Sequence, residues 1–333
     1  MAAIWTTHRE RGHPAILRFF TWIALHLGRP IARLLLVPIV CYFVVAGGEA
    51  RAASRDYLRR VLGREARLID GFRHVHCFAS VILDRLYLLN DRHDLFDITV
   101  SGSDVIRAAM GQVTVGDGRR QSRGAFVIGA HLGSFEAVRA AGRDEKDLHV
   151  AMVMYEDNAQ YLNRVFAAIN PKLTEAIIPL GHIDSMLRVK RALDDGGLVG
   201  VLADRILAEE VGTPAVREVM LLGAPVAIPT GPFRMAAMLK RPVVFIVGLY
   251  RGGNRYEVRY ESLYDFSVAA AGGDRSVAID AAIANYVARI EQLCREAPYN
   301  WFNFYDFWND RARPGSHLAD RGDDGSSGPG APS

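Results

Sequence analysis

From Ile98 onward, short apolar runs alternate with stretches of helical spacing, and this alternation most limits what the chain can fold into. The apolar runs cover residues 125–129, 148–154, 176–179, 198–203 and 242–250, and each has the length and continuous hydrophobicity of a strand buried on both faces. Helical spacing falls between them at 135–141, 159–169, 185–193 (closed by Gly196-Gly197) and 231–239. Strands and helices in strict alternation build crossover units, so the expected core is α/β, a mostly parallel sheet flanked by helices. Tyr250 and Tyr256 flank Arg-Gly-Gly-Asn-Arg, a hairpin signal near one edge. A last amphipathic helix carries Ile279, Ile283, Tyr286, Val287, Ile290 and Leu293, and Pro298 ends it. The expected domain runs over 51–310, and the Gly-, Ser-, Asp- and Pro-rich residues 311–333 are expected to be disordered.

The amino-terminal part reads differently. Residues 16–45 are hydrophobic but broken by Arg18, Arg29, Pro30, Arg33 and Pro38, and the longest uncharged piece, 34–48, has fifteen residues. That is short of the ~20 residues a straight membrane-spanning helix needs. The segment 1–50 is therefore expected to be an anchor that enters or lies in the bilayer with its arginines at the headgroups; a buried core helix is the alternative. The formal net charge of +3 hides an asymmetry, since residues 1–75 hold twelve arginines against five acidic residues. No aromatic-and-basic ladder accompanies these charges, so the expected partner is an anionic lipid surface and not nucleic acid. Residues 51–90 continue as helix, and His74 and His76, two apart on it, point different ways and read as structural. The three cysteines, 41, 77 and 294, have neither metal nor redox spacing, and no metal or resident cofactor is expected.

The stretch Ala125 to Glu136, AFVIGAHLGSFE, carries the chemistry. An apolar run ends, His131 comes next, and Ser134 can cap a helix whose first turn holds Glu136. Open α/β sheets bind ligands at the carboxyl edge of their strands, which is where this imidazole would sit. Glu136 can reach His131 only if the chain turns at Gly133; it would then hold one tautomer and leave the other nitrogen as a base. The plain alternative is a capping histidine and a glutamate matched to the helix dipole.

Together with several motifs on its carboxyl-terminal side, this box resembles the lysophospholipid acyltransferase superfamily, nearest the lipid A lauroyl and myristoyl transferases. After H-x4-E, read HLGSFE, come Asn158 with Leu162-Asn163-Arg164, then the run 198–203 ending in Asp204-Arg205. A turn from Leu222-Gly223-Ala224-Pro225 through Pro229-Thr230-Gly231-Pro232 leads into a helix, and Pro298-Tyr299-Asn300-Trp301-Phe302 resembles the family's closing segment. Two departures bear on the acceptor. Asn303-Phe304-Tyr305-Asp306-Phe307-Trp308 replaces a basic stretch, and Arg205 stands where the lipid A members usually carry glutamine. The chain looks more like a side branch serving other bacterial lipids or lipid-linked pigments.

The resemblance implies a glycerol-phosphate-acyltransferase-like fold at the inner membrane, with the catalytic domain facing the cytoplasm. The reaction it implies is acyl transfer from a thioester of acyl carrier protein or coenzyme A to a lipid hydroxyl. A hydroxyl is a weak nucleophile at neutral pH, so His131 would act as general base, oriented by Glu136. Arg164 is the expected oxyanion donor, with backbone N–H groups near Gly133 as the alternative. Asp204 sits at a site-edge position, and Gly133, Ser134, Asn158 and Arg205 are expected to contact substrate. An acidic carrier protein needs a basic patch, for which Arg119, Arg120 and Arg123 are the candidates. With no serine in a G-x-S-x-G setting, direct transfer is favoured over an acyl-enzyme. The rivals are a thioesterase- or lipase-type hydrolase and a non-catalytic lipid-binding scaffold. The aromatic cluster Trp301 to Trp308 reads as a core plug, or else as a tunnel wall.

Overall fold

The computed structural model describes residues 28–114, 120–142, 149–155, 177–180, 184–206, 210, 213–268 and 274–308. Three helices come first: α1 (Arg29–Ala46), α2 (Gly48–Leu62) and α3 (Leu68–Leu89). The next elements are β1 (Asp97–Ser101), α4 (Ser103–Met110), β2 (Gln112–Thr114), β3 (Arg120–Ser122), β4 (Ala125–Gly129), α5 (Phe135–Ala141), β5 (Val150–Tyr155) and β6 (Ile177–Leu180). The remainder is α6 (Ser185–Asp194), β7 (Leu198–Leu202), β8 (Val216–Leu221), β9 (Ala224–Pro229), α7 (Gly231–Met238), β10 (Pro242–Tyr250), β11 (Arg255–Asp265) and α8 (Arg275–Glu296).

Seven strands form one sheet in the order β1-β11-β10-β4-β7-β5-β6, parallel throughout except where β10 and β11 pair as a hairpin. The expected α/β sheet is thus present, and the Arg251–Arg255 region is the hairpin loop. β11 is second from one edge of the sheet, and β1 pairs with it in parallel. β4 and β10 run through the middle, and every residue of both is buried. Successive side chains of β4 serve opposite faces. Phe126 and Ile128 pack with Phe245, Ile283, Tyr286 and Ile290, while Val127 packs with Val81, Ala137 and Val138. Leu222-Gly223, read from sequence as part of a turn into a helix, instead closes the β8–β9 hairpin, and α7 begins only after it.

α1 is tied to the rest of the fold. Arg29 grips the fully buried Asp84 of α3 through Nε (2.7 Å) and Nη2 (2.8 Å), and the Tyr256 hydroxyl donates to the same carboxylate at 2.8 Å. Arg29 and Arg33 also donate to the Gly253 carbonyl, and Arg33 reaches the Tyr250 hydroxyl. These arginines are bound inside the protein, not at lipid headgroups. A buried carboxylate recruits the nearest guanidinium because an unpaired one is costly to desolvate. At the other end of α1, the chain turns at Gly47 and re-enters the core through Tyr57 and Leu58 of α2. The outward face of α1 still exposes Leu34, Tyr42, Phe43 and Val45. Among the described residues α1 is the one helix long and apolar enough to cross a membrane.

His74 is structural. Buried in α3, it is bonded to the Ser54 hydroxyl and the Trp301 carbonyl, both at 2.8 Å, and burial pushes its pKa down to about 4. The closing aromatic segment is a plug: Trp301 is 1% exposed and meets Tyr57 edge to face at 5.1 Å.

Candidate active site

His131 stands just past the carboxyl end of β4, where the chain leaves the sheet through Leu132-Gly133-Ser134 and enters α5. Gly133 adopts a left-handed conformation (φ 73°), and Ser134 caps α5 by accepting the Ala137 N–H at 3.1 Å. Each backbone N–H of this loop has an acceptor. His131 donates to Asp204 Oδ2 (3.0 Å), Leu132 to the Ala130 carbonyl (2.6 Å), Gly133 to the Asn300 carbonyl (2.8 Å) and Ser134 to the Gly248 carbonyl (2.7 Å). The amides of residues 131–134 are therefore engaged within the fold. The Phe302 N–H in turn donates to the His131 carbonyl at 2.7 Å, so the closing segment clamps the loop from its far side.

The imidazole finds its carboxylate across the sheet. His131 Nδ1 lies 2.8 Å from Asp204 Oδ1, and Asp204 is fully buried in the bend after β7. Asp204 Oδ2 also accepts from Trp301 Nε1 and Asn303 Nδ2, each at 3.1 Å. Burial works against ionising Asp204. The imidazole, Arg205 and the His131 N–H outweigh it and hold the carboxyl well below the usual carboxylate range. For His131, burial disfavours the imidazolium and Arg205 adds to this; the Asp204 charge opposes them, and the pKa lies below the ordinary histidine value. A neutral imidazole bonded to a carboxylate through Nδ1–H carries its lone pair on Nε2. The ring keeps 29% exposure and lines a cavity of ≈ 1770 Å³.

Glu136 takes a different partner. Its Oε1 lies 2.7 Å from Arg85 Nε on α3, and its side chain is 6% exposed. The expectation that Glu136 orients the imidazole of His131 is corrected: Asp204 holds it, through Nδ1. From the first turn of α5 the glutamate faces α3, where the guanidinium sits. The helix dipole also favours a carboxylate there, as in the plain reading. Glu136, Arg85 and Arg205 nonetheless line the same cavity as His131, together with Gly133 and Ser134. Arg205 is braced by the Asn303 side chain (3.0 Å) and the Phe302 carbonyl (3.2 Å), with the Tyr305 ring beneath it.

Arg123 is not at the site. It precedes β4, at the opposite edge of the sheet from His131, and is bound by Asp265, Ser267 and the Ala109 carbonyl. The five residues of β4 lie between the two and span roughly 16 Å, at ~3.3 Å per residue. Arg119, Asn158 and Arg164 lie outside the described residues, as does the side chain of Arg120. Arg85, Trp301 and Asn303 are site residues that sequence reasoning did not pick out. The only signal for the last two was the closing aromatic segment. Among the described residues no cluster of His, Cys, Asp or Glu could hold a metal ion, and all three cysteines are free thiols.

The rest of the cavity wall is largely apolar, with Met152, Met154, Leu180, Met186, Met235 and Ile279 among its residues. The arrangement offers an oriented base, a buried counter-charge and room for a long aliphatic substrate. Residues 97–310 match the bacterial lipid A biosynthesis acyltransferases. A solved structure, the 1-acyl-sn-glycerophosphate (LPA) acyltransferase PlsC from Thermotoga maritima, aligns with a TM-score of 0.36 at 12% identity, over 85% of this chain and 94% of that one. No curated protein matches the chain.

Proposed function

Because the chain belongs to the family of bacterial lipid A biosynthesis acyltransferases, and is thus an acyltransferase of lipid biosynthesis, we propose that His131 is the general base of its reaction. In this reading a fatty acyl chain moves from a thioester, of acyl carrier protein or coenzyme A, to a hydroxyl of a lipid or glycolipid. The acceptor hydroxyl gives its proton to His131 Nε2 as its oxygen attacks the thioester carbonyl. The tetrahedral intermediate then collapses, the C–S bond breaks, and the imidazolium returns the proton to the departing thiolate. Asp204 stabilises the imidazolium between the two steps. The observation that carries this reading is the 2.8 Å contact between His131 Nδ1 and Asp204 Oδ1, made by a histidine that also opens on the cavity.

Arg164 keeps the proposed role of oxyanion donor, and Asn158 that of substrate contact. Membrane lipids and acyl carrier protein are the proposed partners, with no metal and no resident cofactor. The proposed location is the cytoplasmic face of the inner membrane, reached through the apolar outer face of α1 and the residues before it.

The test is acyl transfer in detergent micelles, read by mass spectrometry of the lipid. His131→Ala should lower transfer by at least the ~10² expected of a lost general base. Thioester turnover that ignores the lipid acceptor would indicate a hydrolase, and turnover unaffected by His131→Ala would remove the histidine from the mechanism.

A further inference from the structure

One buried amide touches two opposite charges beside His131. Asn303 is 2% exposed, in the segment that closes over the end of the sheet. Its Nδ2–H donates to Asp204 Oδ2 at 3.1 Å, and its Oδ1 accepts the Arg205 Nε–H at 3.0 Å. A carboxylate only accepts and a guanidinium only donates, so the two partners fix which end of the amide faces which. The side chain reaches inward because the segment is extended and its residues alternate. Trp301 and Asn303 turn to Asp204, while Phe302 and Phe304 pack on Phe78 of α3, at 5.3 and 5.2 Å between ring centres.

Asp204 and Arg205 are consecutive residues of opposite charge, and a guanidinium fork on a carboxylate is among the strongest side-chain pairings. Such a pair would leave less of the Asp204 charge for the imidazole. The carboxylate instead takes hydrogen bonds from the His131 N–H and Nδ1–H, from Trp301 Nε1 and from Asn303 Nδ2. The guanidinium donates to the Asn303 amide and the Phe302 carbonyl, lies over the Tyr305 ring and lines the cavity. The amide thus gives each charge a neutral partner in place of the other.

We propose that Asn303 is a positioning residue that holds Asp204 and Arg205 apart, so that the carboxylate serves His131 and the guanidinium stays on the cavity wall. The inference deepens the acyl-transfer reading and rests on it for its bearing on rate.

The sign of one titration separates this role from a merely structural one. The charged groups acting on His131 are Asp204 and Arg205, from the bend after β7, and Arg85 of α3, which Glu136 of α5 matches. If Asn303 only donates a hydrogen bond, its loss leaves Asp204 a stronger partner for the imidazolium, and the His131 pKa rises. If Asn303 keeps Arg205 off the carboxylate, its loss lets the guanidinium cancel that charge, and the pKa falls.

The experiment follows the His131 ring by NMR as the pH is varied, on the full chain in detergent micelles, with His131→Ala to assign the signal. It needs no turnover. Asn303→Leu, or Asn303→Ala should the larger side chain prevent folding, should lower the midpoint by on the order of one unit. In an Arg205→Gln background the same substitution should no longer lower it. An unchanged or raised midpoint in the single variant, or an equal fall without Arg205, overturns the proposal. In acyl transfer, the acid limb of kcat/KM should move down in parallel. A fall that depends on Arg205, in a protein that transfers no acyl group, would sink the reaction and leave the role of Asn303 standing.

Discussion

Gly133 and Gly248 approach so closely that neither position has room for a methyl group. A Cβ on Gly133 would lie 2.1 Å from the Gly248 carbonyl oxygen, and a Cβ on Gly248 would lie 2.3 Å from that of Ser134. The obstacle is backbone in both cases and cannot swing aside. This contact fixes the loop that carries His131 against the carboxyl-terminal part of β10, and a shift of about 1 Å in a reacting group can cost ~10²-fold in rate. Gly248→Ala should therefore reduce kcat by about that factor and lower the melting temperature by several degrees, as overpacking does. Wild-type turnover in Gly248→Ala would show that the loop is not set by this contact.

The two carboxylates near the histidine should differ in their kinetic effects. Asp204→Asn removes the charge that faces Nδ1 and should lower kcat by ~10²–10⁴, the range of a lost general base. Glu136→Gln, whose partner is Arg85, should cost less than tenfold in kcat. A double-mutant cycle checks the pairing: His131→Ala and Asp204→Asn should be far from additive, and His131→Ala and Glu136→Gln close to additive. The reverse pattern would return the orienting role to Glu136.

The pH dependence has a fixed sign. Burial and the Arg205 charge both lower the His131 pKa, so the base is mostly neutral, and competent, at pH 7, and activity falls as the pH drops through that lowered pKa. The acid limb of kcat/KM should have its midpoint below 6.5, the ordinary histidine value. Arg205→Gln removes a nearby positive charge, favours the imidazolium, and should move that midpoint to higher pH. A midpoint that stays put or moves down would separate Arg205 from the titration of His131.

Membrane attachment is best tested without deleting α1. Removing residues 1–50 takes Arg29 away from Asp84 and leaves a buried carboxylate unpaired, a loss on the order of 3–5 kcal/mol. A truncated protein that fails to fold would say nothing about lipid. Leu34→Ser, Phe43→Ser and Val45→Ser together alter only exposed apolar side chains. The triple variant should keep its melting temperature and bind anionic vesicles more weakly in a flotation assay. Undiminished flotation would put the attachment elsewhere.

Much of the sheet was legible in the sequence because buried parallel strands are continuous apolar runs. β4 and β10 match the runs 125–129 and 242–250 residue for residue. β1 was not legible: four of its five residues are exposed, so no apolar run marks it. The H-x4-E box was visible, but the partner of its histidine was not, since Asp204 lies 73 residues away. Register supplies the missing link. β4 and β7 pair in parallel with Gly129 opposite Leu202, so the residues two beyond each strand end, His131 and Asp204, fall side by side. Short spacing in sequence favoured Glu136, but adjacency across the sheet decided for Asp204. Trp301 and Asn303 were harder still, because their polar atoms act from within a segment whose composition announces only hydrophobic packing.

The clamp formed by Asn300 to Asn303 also bears on the order in which a growing chain acquires its function. A ribosome completes β4 and β7, with His131 and Asp204, well before this segment emerges. Until it does, Asp204 lacks the Trp301 and Asn303 donors, the Gly133 N–H lacks its acceptor, and the His131 carbonyl lacks the Phe302 N–H. The loop that carries His131 therefore gains its last backbone and side-chain partners only when this closing segment has been added.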